Sequence, residues 1–246
     1  VVQLQAVGGA GHRTDGGGVF FRTESLDPRT RKGRVGVKVQ VANDTDKEQK
    51  VRVQAVMTDP KGVDPAGETV PLTIPPHSTG EVDIPLVLSN VKPWSPDNPD
   101  LYTLSVEVWD AAGGDQAKDS AHLLDNRSMR VGVRTVEITE KGLVLNGSLF
   151  PEKLIGGNRH QDFARLGNAV PNNLQWQDAV KLRKAGMRVI RSAHYPQDPA
   201  FMDACDRLGL FVIVATPGWQ FWGKGPFADR VYDDIRQMVR RDRNHP

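Results

Sequence analysis

The sequence predicts a multi-domain β plus α/β chain: an immunoglobulin-like antiparallel β-sandwich, then the first three strand–helix units of a TIM (β/α)8 barrel. Three observations predict it. From Val19 to about Ile138 apolar and polar residues alternate with period two, in short β-branched runs broken by turn signals every ten or so residues. From Leu154 onward, short apolar runs alternate with segments of helical spacing, the order that requires a parallel sheet with right-handed crossovers. Two of these later strands also unload histidine and arginine into polar loops, where a parallel α/β architecture puts its ligands.

The elements follow in order. Residues 1–18 are Gly-rich around Gly8-Gly9-Ala10-Gly11 and Gly16-Gly17-Gly18. No helix pattern follows them, so they read as a linker or the end of a preceding domain rather than a phosphate cradle. The sandwich is expected over 19–138. Val35, Val37, Val39 and Val41 alternate with Gly36, Lys38 and Gln40, and Asn43-Asp44-Thr45-Asp46 turns the chain into the run Val51, Val53, Ala55. Pro75-Pro76-His77-Ser78 breaks it again before Val82, Ile84, Leu86 and Leu88, and Leu101 to Trp109 forms another strand. Trp94 and Tyr102 read as core or corner residues. Leu143 to Phe150 reads as a hairpin, because Asn146-Gly147 between apolar runs signals a type I′ turn.

The α/β part is expected over 139–246. Leu154-Ile155 opens a first buried strand. Leu174–Ala185 has helical spacing and stops at Gly186. Arg188–Arg191 is the second strand. Pro199–Leu208 is a helix with Pro in its first turn and Gly209 at its end. Leu210–Ala215 is a third strand, apolar throughout as if buried on both faces. Phe227–Arg241 is a third helix, whose Arg240-Arg241-Asp242-Arg243 reads as a cationic last turn complementing the helix dipole. Three such units are well under half of the ~250 residues of an eight-stranded barrel.

Composition narrows function. With 32 basic against 30 acidic residues the net charge is +2, which gives no electrostatic case for nucleic acid. No apolar run approaches the ~20 residues of a membrane span. Cys205 is the only cysteine, so no internal disulfide forms, and its helical context reads as a buried thiol. The first residue is not Met, and the chain reads as an internal piece of a longer, soluble protein.

The residues with chemistry are His160 and His194, with Asn158, Arg159, Asp162, Arg191, Tyr195 and Trp219 around them. Two histidines at equivalent places on neighbouring strands read as two walls of one polar pocket. His160, Asp162 and His194 offer a thin metal set without tight His-x-x-x-His spacing, so no metal is assigned. Ser192 lies in Arg-Ser-Ala-His, not in a nucleophile elbow. Trp219, Phe221 and Trp222 suit stacking on a sugar ring and packing under loops equally.

At these residues the chain resembles glycoside hydrolase family 2, the family of many β-galactosidases, β-glucuronidases and β-mannosidases. The matching segments are Trp94-Ser95-Pro96-Asp97-Asn98-Pro99-Asp100-Leu101-Tyr102, Val131-Gly132-Val133-Arg134, Leu145-Asn146-Gly147, Gly157-Asn158-Arg159-His160-Gln161-Asp162, Ile190-Arg191-Ser192-Ala193-His194-Tyr195-Pro196, Cys205-Asp206-Arg207-Leu208-Gly209-Leu210 and Arg241-Asp242-Arg243-Asn244-His245-Pro246. The resemblance implies a sandwich between a sugar-binding domain and a (β/α)8 barrel, and a retaining mechanism with two carboxylates about 5–5.5 Å apart. It implies that Arg191 orients the nucleophile carboxylate, that His160 and His194 bond sugar hydroxyls, and that Asn158 and Arg159 brace the end of the first strand. It also implies that the acid/base and the nucleophile lie beyond Pro246, so this chain carries neither and is expected to be inactive alone. Many members end the third strand in Asp-Glu, whereas here Ala215-Thr216 stands there. That departure weakens transfer of a metal-assisted site and leaves the sugar open.

A β-galactosidase-like parent acting on a carbohydrate is therefore expected first, with β-glucuronidase or β-mannosidase behind it. No cofactor is called for; a divalent or sodium ion and a homo-oligomeric parent are compatible with the resemblance, as is a bacterial cytoplasmic or periplasmic setting. A non-catalytic carbohydrate-binding sandwich is a competing expectation. A complete small α/β protein is another, although its third strand would leave an exposed edge prone to association.

Overall fold

The computed structural model describes residues 2–4, 18–63, 65–111, 122–218, 220–221 and 223–246. Eight strands build the sandwich: β1 (Val2–Leu4), β2 (Val19–Asp27), β3 (Lys32–Asn43), β4 (Gln49–Thr58), β5 (Ala66–Ile74), β6 (Ser78–Leu88), β7 (Tyr102–Asp110) and β8 (Leu123–Val131). One sheet has β3 at its centre, with β6 along one side and β2 and β1 along the other. The second sheet runs β5-β4-β7-β8, and every pairing in both sheets is antiparallel. The period-two pattern explains the packing. Val35, Val37, Val39 and Val41 point inward to a core shared with Val51, Val53, Ala55, Met57, Leu104, Val106 and Val108. Lys38 and Gln40 point outward and bond Glu81 of β6. Each such buried side chain is worth about 1.5–3 kcal/mol of transfer free energy.

Most of residues 1–18, expected to be a linker or the end of a preceding sugar-binding domain, lies outside the described residues. Its first part behaves differently from that expectation, since β1 pairs with Val41–Asn43. Val2 and Leu4 pack against the sandwich core, and the Leu4 N–H donates to Asp125 Oδ2 at 2.8 Å.

A small antiparallel sheet follows, of β9 (Val136–Thr139), β10 (Gly142–Leu145) and β11 (Ser148–Leu149). Residue 138, the expected end of the sandwich, falls inside β9. The β10–β11 turn places Asn146 at φ 52° and Gly147 at φ 80°, the paired positive angles a type I′ turn requires. The Asn146 amide also donates to Trp94 O at 3.0 Å and accepts from Thr135 N–H at 3.1 Å.

The α/β part contains β12 (Gly156–Arg159), α1 (Asn172–Lys184), β13 (Val189–Ser192), α2 (Pro199–Leu208), β14 (Phe211–Val214) and α3 (Pro226–Asp242). The three strands are parallel in the order β12-β13-β14. Two expectations are corrected here. The first strand begins at Gly156, not Leu154, and Leu154 and Ile155 are exposed. Gly156 starts the strand because the backbones approach closely: a Cβ there would lie 1.6 Å from Val189 O. The third strand is not buried on both faces either. Among the described residues it pairs only with β13, Ile213 is 57% exposed, and α3 has no buried residue. The helix-facing side is packed: Ile190 joins Ala179, Phe201, Met202, Ala204, Cys205 and Leu210 in a second core. Burial pushes the Cys205 thiol up, in keeping with a structural role.

A seam joins the two parts. Tyr102 is a sandwich core residue, as expected. Trp94 is not: it is 1% exposed at the seam, its Nε1–H donates to Asp206 O of α2 at 2.8 Å, and its ring meets Phe211 edge-on at 5.6 Å. Gly209, the α2 C-cap at φ 68°, lets the chain pass so close to Pro96 that a Cβ would sit 2.1 Å from its carbonyl oxygen. Arg188 donates to Asp97 and Glu152, both at 2.8 Å, and Arg183 donates to Pro96 O at 2.9 Å.

Candidate functional site

The site lies where β12 and β13 end side by side. Their register places Asn158 opposite Arg191 and Arg159 opposite Ser192. Because side chains alternate across a strand, Asn158 and Arg191 share one face of the sheet. Ile190 and Ser192 are buried on the other. Beyond the strand ends the His160 and His194 rings meet edge to face, with centroids 5.1 Å apart and planes at 79°. Arg191 Nη1 lies 2.9 Å from His194 Nδ1 and 3.5 Å from Asn158 Oδ1. Arginine only donates, so Nδ1 is the acceptor and the ring proton of a neutral His194 sits on Nε2. Desolvation, then the charge of Arg191 and the neighbouring His160, lower the His194 pKa from its ordinary value. A neutral imidazole with a defined tautomer, beside a fixed guanidinium, offers oriented hydrogen-bond donors to a polyhydroxylated or anionic ligand.

His160, His194, Arg191 and Asn158 thus come together. Arg159 turns away from them, into the helix layer, and is 5% exposed. Its guanidinium donates to Asp178 Oδ2 at 3.0 and 3.2 Å, Gln175 Oε1 at 2.7 Å and Gln197 Oε1 at 2.5 Å, and lies 4.0 Å over the Phe201 ring. Burying that charge is tolerable only because it is so fully bonded. Asp162 is exposed; with its nitrogen turned inward the Asn168 amide donates to Asp162 Oδ1 and Gln161 O, both at 2.5 Å. Trp219 and Trp222 lie outside the described residues, and Phe221 is exposed.

His160, Asp162 and His194 do not make a metal cluster. Among the described residues the one group of three or more His, Cys, Asp or Glu with ligand atoms within 4.8 Å of one another is Asp203, Asp206 and His245, at the seam. There His245 Nδ1 and Asp206 Oδ2 lie 2.6 Å apart. The sequence reading did not single out Gln175, Asp178 or Gln197. Gln175 and Asp178 are polar residues on the inward face of α1 and Gln197 lies in the loop before α2, a grouping visible only once the face opposite β12 is known. Among the described residues no helix is long and apolar enough to cross a membrane.

Comparison with known proteins agrees with this fold. Residues 18–134 match the family model "Glycosyl hydrolases family 2", and residues 136–246 match "Glycosyl hydrolases family 2, TIM barrel domain". A β-galactosidase of Thermoanaerobacter pseudethanolicus is 38% identical over 161 residues, covering 65% of this chain and 20% of that protein. A putative β-glucuronidase of Formosa agariphila is 27% identical over 225 residues, covering 89% of this chain and 25% of that protein. A crystal structure of a glycosyl hydrolase family 2 member from Bacteroides cellulosilyticus superposes with TM-score 0.79 at 28% identity, over 93% of this chain and 30% of the other. The chain therefore spans only about a fifth to a third of the length of these relatives. With two models of one family matched in series across the sandwich and the parallel sheet, the chain belongs to glycosyl hydrolase family 2.

Proposed function

We propose that this chain supplies the sandwich and part of the sugar-binding wall of a retaining exo-β-glycosidase, with a terminal β-galactoside as the first substrate class. The observation that carries the reading is the edge-to-face contact of His160 and His194 beside Arg191 and Asn158 at the ends of adjacent parallel strands. In this reading the two imidazoles and Asn158 bond sugar hydroxyls. Arg191, already paired to a neutral ring, has donors to orient a carboxylate, and its charge favours the ionised form. Such contacts tighten as the sugar ring flattens toward an oxocarbenium-like state. A second reading, a β-glucuronidase, is favoured by the cationic Arg191, which suits a uronate, and is in keeping with the match to the Formosa agariphila protein. The sandwich as a carbohydrate-binding module has less support, since its rings Phe20, Phe21, Trp94, Tyr102 and Trp109 are buried or half-buried.

The test is a titration of the chain, with its histidines isotopically labelled, against a thio-β-galactoside and a thio-β-glucuronide. The galactoside is expected to move the His160 and His194 resonances and to spare His77 and His122. A preference for the glucuronide would favour the second reading, and no response to either would remove both. The chain alone is expected to turn over no aryl β-galactoside, because neither catalytic carboxylate is among the residues the resemblance carries onto it. Activity that survives repurification would overturn that expectation.

A further inference from the structure

The two histidine-bearing loops are cross-tied on both sides of each histidine. Before His160, the Arg159 carbonyl accepts from Ala193 N–H at 2.9 Å, and the Arg159 guanidinium reaches Gln197. After His160, the Gln161 N–H donates to the Tyr195 hydroxyl at 3.0 Å, and Gln161 Oε1 accepts from Asp198 N–H at 2.8 Å. The Gln161 amide nitrogen donates to Asn168 O at 3.2 Å, and Gln197 Nε2 donates to Tyr195 O at 3.2 Å. Ala193 and Tyr195 flank His194 as Arg159 and Gln161 flank His160, so each ring is carried by a residue whose two neighbours are held to the other loop. Two of the ties, the Tyr195 hydroxyl and the Gln161 amide, are side chains that touch neither imidazole in the contacts above and lie outside both regular strands. A short loop held at one point can still rotate a ring; one held on both sides of the ring has little freedom left.

From this arrangement we propose that Gln161 and Tyr195 are positioning residues that hold His160 and His194 at their edge-to-face spacing. The proposal rests on the sugar-site reading for its purpose, since the spacing decides which two hydroxyls the imidazoles reach together. It is independent of that reading for its mechanics. Arg159 and Gln197 anchor the loops from the helix layer and double as core residues. Gln161 and Tyr195 act on the loops alone, which makes them the informative positions to change.

The experiment compares the chain with Gln161→Ala, Gln161→Glu and Tyr195→Phe. It records the His160 and His194 ring resonances, their titration and the thermal melt. Tyr195→Phe deletes one oxygen and is expected to melt cooperatively within a few degrees of the unsubstituted chain. Gln161→Ala and Tyr195→Phe are expected to displace both ring signals and to move the His194 midpoint up toward its ordinary value, as Arg191 and His160 cease to face it squarely. Gln161→Glu keeps an acceptor for Asp198 N–H and is expected to return both signals most of the way. Ring signals in Tyr195→Phe that overlay those of the unsubstituted chain, or a Gln161→Glu as displaced as Gln161→Ala, overturn the proposal. Titration with a thio-β-galactoside separates the two claims. Affinity reduced on the order of tenfold in Tyr195→Phe supports positioning of a sugar site. A sugar that never perturbs the unsubstituted chain defeats the sugar reading and leaves the ring comparison to stand or fall by itself.

Discussion

In the sandwich, Val35, Val37, Val39 and Val41 of β3 meet the inner face of a second sheet and are fully buried. In the parallel sheet, Ile213 of β14 stands half in solvent, and the apolar residues Phe227, Tyr232, Ile235 and Val239 of α3 are exposed. Both β3 and β14 are rich in apolar side chains. The difference is topological. Two antiparallel sheets cover each other, so eight strands suffice to close a core. A parallel sheet is covered on one face by its crossover helices and needs further strands or layers for its other face and its edges. The polar residues Asn158 and Arg191 sit on the open face, where a ligand can reach them.

Four substitutions test this contrast. The largest effect is expected from Leu104→Ala in the sandwich core, which should cost about 2–5 kcal/mol and lower the chain's melting temperature by several degrees. A loss below about 1 kcal/mol in chemical denaturation would mean the sandwich is not the closed core described. Next is Trp94→Phe at the seam. It keeps an aromatic ring against Phe211 but leaves the Asp206 carbonyl without its donor, a loss of about 1–3 kcal/mol. Calorimetry should then resolve separate transitions for the two regions, and one unchanged transition would argue that Trp94 does not couple them.

The third concerns pH. Burial opposes protonation of His245, but the hydrogen bond to Asp206 and its charge, with Asp242 and Asp203 adding to it, outweigh burial and raise the His245 pKa above its ordinary value. The raised His245 value therefore contributes stability that is fully present below the unfolded value near ~6.5, as long as Asp206, whose own pKa is pushed up by burial, stays ionised. It is lost as pH rises through the higher folded value. His245→Gln should flatten the fall in melting temperature above neutral pH, an effect of about 1 kcal/mol. Parallel pH profiles for the two proteins would show that His245 carries no charge in the pair. The smallest effect is expected from Ile213→Ala, within about 0.5 kcal/mol, because over half of that side chain is already in water. A cost like that of Leu104→Ala would mean β14 is covered after all, and sedimentation would then reveal whether another copy covers it.

Much of the fold was legible in local pattern. Alternation at Val35–Val41 and at Leu101–Trp109, helical spacing with Pro and Gly punctuation at Pro199–Gly209, and the Asn146-Gly147 turn all report short-range preferences that tertiary structure had no reason to override. The site was legible through its motif: Asn158, His160, Arg191 and His194 do converge. Arg159 was less so. The resemblance implied a brace for the end of the first strand, but its partners were not legible: strand alternation sends it into a buried hub with Gln175, Asp178 and Gln197.

Local pattern thus specifies the main element types, their order, the parallel pairing of the second region and which loops carry imidazole, because periodicity, turn chemistry and capping act over a few residues. Long-range packing settles that Trp94 serves the seam and not the sandwich core, that the first barrel strand starts at Gly156, and that Gln161 and Tyr195 tie the loops around the histidines. Those outcomes depend on how closely two backbones approach and which donor faces which acceptor across separations from 33 to 112 residues of chain, quantities set by packing and invisible to any local pattern.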